Sequence, residues 1–322
     1  MGISHYIKEI GRGARGARSL DRDQARDLFG QVLDGTVTDL EIGAFCLAMR
    51  IKGETPAEMA GFLDATHERM ARFSSGRLTV VLPSYNGARK LPVLTPLLGC
   101  LLAREGHAVL LHGTQTETRR VTSSSVLEAM GIAAALDVQA LRAGELVHVD
   151  TGVLSPGLKR LLAVRQVVGL RNPAHSVVKL MQPALGGNLV LSSYTHPAYL
   201  DSMNQTFALL DMHALLSRGL EGESAADPRR TAQVDGYVHG QRIELQAQAA
   251  GTLDEVPGLP EAIDADTTAR YTQDVLDGRL PVPLAIARQI EHVARLCALI
   301  EAGRDSAEAS QPQLAATMAL DP

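Results

Sequence analysis

The sequence predicts an α/β protein with a small helical-bundle domain and a larger α/β domain built on a mostly parallel sheet. Three observations lead there. The first ~70 residues show only helical periodicity, until Ser74-Ser75-Gly76 breaks the pattern. After that break, apolar runs of strand length alternate with helical stretches, the rhythm of βαβ units. A chain of 322 residues, 45% apolar and 21% charged, suits one large or two smaller domains with a sizeable core.

The elements follow in order. Asp21 to Asp34 opens on an acidic N-cap and sets Ala25, Leu28, Phe29, Val32 and Leu33 on one face. Thr38-Asp39-Leu40-Glu41 has the form of a capping box ahead of Ile42, Phe45, Cys46 and Met49. Thr55-Pro56-Ala57-Glu58 starts a third helix with proline at its first position, and Met59, Phe62, Leu63 and Thr66 face inward. Leu78 to Leu82 reads as a buried strand, followed by the loop Pro83 to Arg89. Leu91 to Arg104 reads as an apolar helix, and Ala108 to Leu111 as a second strand ending at His112-Gly113. Thr122 to Met130 is a helix with a serine-rich start, and Leu146–Val149 and Leu189–Leu191 are further strands. From about Ser306 the Ala/Gln/Pro-rich tail is expected to fray.

Composition excludes several classes. Cys46, Cys100 and Cys297 are odd in number and far apart, with no CxxC, so neither a disulfide framework nor a zinc site is expected. The longest apolar run, Leu91 to Ala103, contains two prolines and is shorter than the ~20 residues that span a bilayer. The N-terminus lacks a signal-peptide apolar region. A cytoplasmic protein without membrane partner, cofactor or metal is the expectation.

Charge is unevenly spread. Arg69 to Arg104 holds Arg69, Arg72, Arg77, Arg89, Lys90 and Arg104 and no acid; Thr151 to Leu200 holds Lys159, Arg160, Arg165, Arg171 and Lys179 and no acid. Those stretches carry +11, so the rest of the chain carries −16 within a net charge of −5. Lys8, Arg12, Arg15 and Arg18 precede them, and the C-terminal third is acidic. This is the signature of one basic and one acidic face.

In α/β proteins ligands gather at the C-terminal ends of strands. The loop Pro83 to Arg89 offers a single glycine, Gly87, and is a poor diphosphate cradle. It reads either as an Asn-Gly turn with solvated charges or as a surface on which Tyr85 stacks, Ser84 and Asn86 hydrogen bond, and Arg89 and Lys90 meet phosphates. His112 is either a general base or a structural histidine, and no carboxylate lies near it in sequence. No GxSxG elbow supports a serine nucleophile. Glu221 and Glu223 either touch a metal or form a solvated acidic loop.

The element order, with the strand ending in His112-Gly113 and the stretch Ser123 to Ile132, resembles the anthranilate phosphoribosyltransferase family, almost without gaps from residue 78 to 182. Where that family carries Gly-Thr-Gly-Gly-Asp in its diphosphate loop, this chain has Pro83-Ser84-Tyr85-Asn86-Gly87. For Asn-Ile-Ser-Thr it has Val93-Leu94-Thr95-Pro96, and for Lys-His-Gly-Asn it has Leu111-His112-Gly113-Thr114. The magnesium motif Gly-Leu-Asp-Glu falls on Gly219-Leu220-Glu221-Gly222, with Glu223 displaced by one. Arg165 matches the anthranilate-contacting arginine and Arg171 a second family arginine. Losing the glycines, the lysine and the paired carboxylates removes most of the preorganised electrostatics that transfer requires. A closer resemblance is to the YbiB-like branch of the family, described as DNA-binding, through Ile7–Arg26, Leu47–Thr55, Pro83–Lys90 with Leu94–Leu98, His112–Val121 and Gly169–Leu180.

The resemblance implies a homodimer joined through a helical domain of residues 1–75 with 156–185, beside an α/β domain of 76–155 with 186–322. It also implies a non-catalytic protein whose basic groove binds DNA or RNA without sequence preference. With the charge pattern, it nominates Arg12, Arg15, Arg18, Tyr85, Arg89, Lys90, Arg119, Arg120, Lys159, Arg160, Arg165, Arg171 and Lys179 for nucleic acid, and Ser84, Asn86, Gly87, Thr95, His112 and Gly113 for a vestigial substrate cleft. The alternatives are a phosphoribosyltransferase or phosphorylase acting on a small ribosyl phosphate through His112, Arg165, Glu221 and Glu223, and a scaffold that binds proteins through its acidic surface.

Overall fold

The computed structural model describes residues 2–13, 15–219 and 221–318, with side chains as far as Arg304. Four helices come first: α1 (Ser4–Ile10), α2 (Arg22–Asp34), α3 (Asp39–Lys52) and α4 (Pro56–Arg69). Capping boxes start the last three, pairing Asp21 with Gln24, Thr38 with Glu41 and Thr55 with Glu58. The helices close on Phe29, Phe45 and Phe62, whose ring centroids lie 4.7 to 6.2 Å apart.

The chain continues through β1 (Ser74–Ser75), β2 (Thr79–Pro83), α5 (Thr95–Arg104), β3 (Ala108–Gly113), α6 (Ser123–Ala129), β4 (Ala140–Leu141), β5 (Leu146–Asp150) and α7 (Thr151–Leu154). The predicted helix over Leu91–Arg104 begins only at Thr95. Pro92 disfavours helical geometry at Leu91, whereas Pro96 is tolerated in a first turn. Next come α8 (Pro156–Val168) and α9 (Ala174–Val177). Helix α8 returns to the bundle and buries Leu158, Leu161 and Leu162 in the core shared with α2. A Cβ on Gly157 would lie 2.3 Å from the Leu33 carbonyl oxygen, so α8 and α2 approach too closely for any other residue.

The remaining elements are β6 (Asn188–Tyr194), α10 (Ala198–Leu209), β7 (Ala214–Arg218), β8 (Val234–Val238), β9 (Gln241–Gln246), α11 (Ala265–Leu276) and α12 (Leu284–Met318). Helix α12 carries on through the stretch expected to fray, because its alanines are strong helix formers. The end of that tail, from residue 319, lies outside the described residues.

A seven-stranded sheet runs in the order β5-β3-β2-β6-β7-β8-β9, parallel as far as β7, with the β8–β9 hairpin added antiparallel. Val81, Leu110 and Val190 face the core shared with the bundle, while Val80, Leu82, Val109 and Leu191 face that of α5 and α12. Burial on both faces explains why these strands read as unbroken apolar runs. No helix among the described residues is long and apolar enough to cross a membrane.

Candidate functional site

The C-terminal ends of β2, β3, β6 and β7 open toward the bundle. Two contiguous cavities lie there, of about 490 and 890 Å³, and both are lined by Arg171, Thr195 and His196. The smaller adds Arg50, Glu54, Tyr85, His175 and Lys179; the larger adds Asn86, Arg89, Lys90, Arg120, Arg218, Glu221, Asp227, Arg229 and Arg230. Cationic side chains therefore outnumber carboxylates in the cleft of a protein whose net charge is −5. Such a cleft focuses a positive field against an acidic body.

The loop after β2 forms one wall, and its polar groups converge on an acidic loop after β7. Asn86 and Gly87 donate their backbone N–H groups to Glu223 Oε1, at 3.2 and 2.7 Å. The hydroxyls of Ser84 and Thr95 donate to Glu223 Oε2, at 2.5 and 3.1 Å. The next two N–H groups, of Arg89 and Lys90, donate to Glu221 Oε2 at 2.8 and 3.2 Å, and Arg89 Nε reaches Glu221 Oε1 at 3.2 Å. The main-chain donors that would cradle an anion are thus held by two carboxylates of the chain itself. Glu221 adopts φ 57° and Gly222 φ 85°, a left-handed pair that turns both carboxylates to the same loop. Gly87 has φ 67°, and a Cβ on it would lie 2.7 Å from the Val121 carbonyl oxygen. Burial pushes the Glu223 carboxyl above the usual range, against the pull of its four donors.

A third carboxylate, Glu117, gathers three arginines. It lies 2.8 Å from Arg165 Nη2, 3.1 Å from Arg120 Nε and 3.7 Å from Arg171 Nη2. Burial would raise the Glu117 carboxyl, but hydrogen bonds from Arg165 and Arg120 hold it below its ordinary value. Arg171 also donates to Asn86 Oδ1 at 2.6 Å. Lys179 donates to the Ser193 carbonyl oxygen at 3.0 Å, and burial with the neighbouring Arg171 lowers its ammonium to about 8.

Arg89, Lys90, Arg120, Arg171 and Lys179 meet at the cleft, and they come from both acid-free stretches and the turn between them. Arg12, Arg15 and Arg18 are exposed at the N-terminal helix, where Arg12 and Arg18 pair with Glu9. Lys159 pairs with Asp150, and Arg160 donates to the Leu33 carbonyl oxygen. Arg119 is exposed, and Arg165 is held by Glu117; none of these seven lines either cavity. Tyr85 requires a correction. It is 2% exposed, packed edge-on to His175, and cannot offer its ring face to a base. His112 is 0% exposed with both ring nitrogens unpartnered among the described residues; burial holds it neutral, down to about 4, and it cannot act as a base on a ligand. Gly113 serves a close approach, since a Cβ there would fall 1.8 Å from the Ser84 carbonyl oxygen. Ser84, Gly87 and Thr95 serve Glu223, and Asn86 alone of that group lines the cleft.

Sequence reasoning missed Arg50, Arg218, Arg229 and Arg230, all lining the cleft. The Arg229-Arg230 pair was visible but stands beside Asp227, which pairs with both. Leu220, within the stretch aligned to the magnesium motif, lies outside the described residues. Among the described residues, no group of three or more His, Cys, Asp or Glu is placed to hold a metal ion. Glu221 and Glu223 are spent on loop donors, so the residues as arranged do not fit a magnesium–diphosphate group.

Residues 4–70 match the glycosyl transferase family, helical bundle domain. The uncharacterized protein YbiB of Escherichia coli K12 is 40% identical over 314 residues, covering 94% of this chain and 95% of that protein. An anthranilate phosphoribosyltransferase of Idiomarina loihiensis is 27% identical, over 81% of this chain and 79% of its own. Among solved structures, the anthranilate phosphoribosyltransferase of Thermus thermophilus superposes with a TM-score of 0.67 at 21% identity, covering 88% of this chain and 85% of that one. The Saccharomyces cerevisiae enzyme in complex with PRPP and Mg gives the same TM-score at 12% identity, covering 92% and 88%. Identity across nearly the whole of YbiB, on a fold shared with these enzymes, makes this chain a member of the anthranilate phosphoribosyltransferase-like family.

Proposed function

We propose that this protein binds nucleic acid by its phosphate backbone in the basic cleft, without reading sequence and without phosphoribosyl transfer. The observation that carries this reading is the occupation of the Ser84–Lys90 loop by Glu221 and Glu223, while Arg89, Lys90 and Arg230 at the cleft rim still face solvent. A substrate diphosphate would have to displace two carboxylates from the loop. A polyanion need not, because the cations are spread along two joined cavities rather than aimed at one phosphate. Affinity then comes from counterion release on roughly 5–10 phosphate contacts.

The test is fluorescence anisotropy of a labelled 30-mer, single- and double-stranded, across a salt series. Tight binding of unrelated sequences with a steep negative salt slope is expected. Lys90→Ala and Arg230→Ala should each reduce that slope by about 1. Absence of binding at low salt refutes the reading. We also propose the dimer that the resemblance implies; the exposure of Leu40, Leu47 and Ile51 on one face of α3 supports it, and sedimentation equilibrium tests it.

A second reading, transferase or phosphorylase, draws on Glu221, which still lines the cleft. It requires saturable binding of phosphoribosyl diphosphate with magnesium, and turnover. Turnover would overturn the non-catalytic part of the proposal.

A further inference from the structure

Behind the segment Pro228–Ala232 lies a further cavity of about 360 Å³, which shares Arg229–Ala232 and Ala250–Thr252 as a common wall with the larger cleft cavity. Its floor is apolar, made by the buried Leu215 and Val234, and the largely exposed Leu253 and Leu284 complete its apolar lining. Ser217 also lines it; the residue is 2% exposed, and its hydroxyl has no hydrogen-bond partner among the described residues. Arg288, on α12, is half-buried and lines the same space. Its side chain has neither a hydrogen bond nor an ion pair with any described residue. His292 stands one turn further along, and no aspartate or glutamate lines the cavity. Gln289 braces the wall, accepting from Ala226 N–H at 2.9 Å and donating to the Ser224 carbonyl oxygen at 2.8 Å.

A half-desolvated guanidinium without a counter-charge is costly, and its best partner is a planar carboxylate. The floor selects the rest of the ligand. Inorganic phosphate has no apolar body and would gain nothing from it, whereas a hydrocarbon or aromatic group would be buried there at about 25 cal/mol per Å². The volume sits at the small end of ligand sites, roughly 300–1,000 Å³. We propose that this cavity is a second binding site, for a small apolar carboxylic acid, with the carboxylate on Arg288, the apolar body on the leucine and valine floor, and Ser217 as an added hydrogen-bonding group. The site shares the Arg229–Ala232 wall with the cleft, but its ligand is held by Arg288 and Leu215, which do not line the cleft, so it is tested independently of the polyanion reading.

Benzoate is the probe, followed with the full chain by ligand-observed NMR and by the rise in Tm. Saturable binding is expected, with benzamide and acetate each at least about tenfold weaker because one lacks the charge and the other the ring. Arg288→Gln should weaken benzoate by about tenfold or more. Ala285→Phe, which fills the space and keeps Arg288, should abolish binding and serves if the arginine variant fails to fold. Lys90→Ala, altered only in the cleft, should leave benzoate affinity unchanged. Equal binding of benzoate to wild type and both cavity variants, loss of binding in Lys90→Ala, or no saturation with wild type at millimolar benzoate each overturns the proposal.

Discussion

Replacing Glu223 separates two roles for its carboxylate, charge and acceptor. Oε1 receives two backbone N–H groups, of Asn86 and Gly87, that cannot turn away. Oε2 receives two hydroxyls, of Ser84 and Thr95, that can rotate and accept instead. In Glu223→Gln the amide oxygen can keep the first pair while the amide nitrogen donates to the hydroxyls. The charge lost is one that burial already disfavours. That variant should cost about 1 kcal/mol. In Glu223→Ala both main-chain donors lose their acceptor in a buried setting. At about 1–3 kcal/mol each, the loss is roughly 2–6 kcal/mol. Urea unfolding with a constant slope reads both values directly. Equal damage from Gln and Ala, or an alanine cost below about 1 kcal/mol, would refute the satisfied-cradle account. The pH dependence adds a sign. Because the folded carboxyl titrates above the unfolded one, the folded state keeps a proton that the unfolded chain has released between those two values. Stability from this group therefore falls as pH rises through that window, and Glu223→Gln removes the slope.

Other expectations rest on separate features. Burial lowers His67 and His112 to about 4 and His175 to about 3, so below the unfolded value of about 6.5 only the unfolded chain takes up protons; stability is full above that pH and is lost on acidification. His112→Leu should flatten that acid limb in pH-dependent melting curves, and an unchanged limb would contradict it. Gly113→Ala forces a Cβ to 1.8 Å from a backbone oxygen and should cost more than about 3 kcal/mol in melting or solubility assays. Arg165→Ala should lower Tm through the lost Glu117 pair, while Lys90→Ala should leave Tm unchanged and lower polyanion affinity; the reverse pattern would relocate the interface. Glu58 is fully buried, 2.6 Å from Lys52 Nζ and bonded to Leu20 N–H and Thr55 N–H, so Glu58→Ala should destabilise by about 3–5 kcal/mol in urea.

Much of the fold was legible because its signals are local. Capping boxes at Thr38 and Thr55 and the runs Val80–Leu82 and Ala108–Leu111 announce their elements through periodicity and turn chemistry. The hairpin of β8 and β9 was not read, since β9 is largely exposed and carries mixed charge. The site was legible only in part. Acid-free stretches marked Arg89, Lys90, Arg171 and Lys179, but not which other cations were held elsewhere. Arg165 looked like Arg171 in sequence, and only the fold brings Glu117 against it. Tyr85 looked like a surface aromatic in a polar loop, yet the ring is buried edge-on to His175 of α9. The Glu221-Gly222-Glu223 stretch gave no local sign of its target, because Gly87 is separated from Glu223 by 136 positions along the chain.

The carboxylates in the Ser84–Lys90 loop are tethered competitors. A group held on the same chain acts at an effective concentration in the millimolar range or above, and it cannot diffuse away. Chloride or phosphate from the medium meets that competitor at every encounter with the loop, whereas at Arg89, Lys90 and Arg230 on the rim it meets side chains 46% or more exposed, or open to water. One surface therefore holds two responses to salt: a loop whose shape ignores the ionic medium, and a rim whose grip on a polyanion follows it.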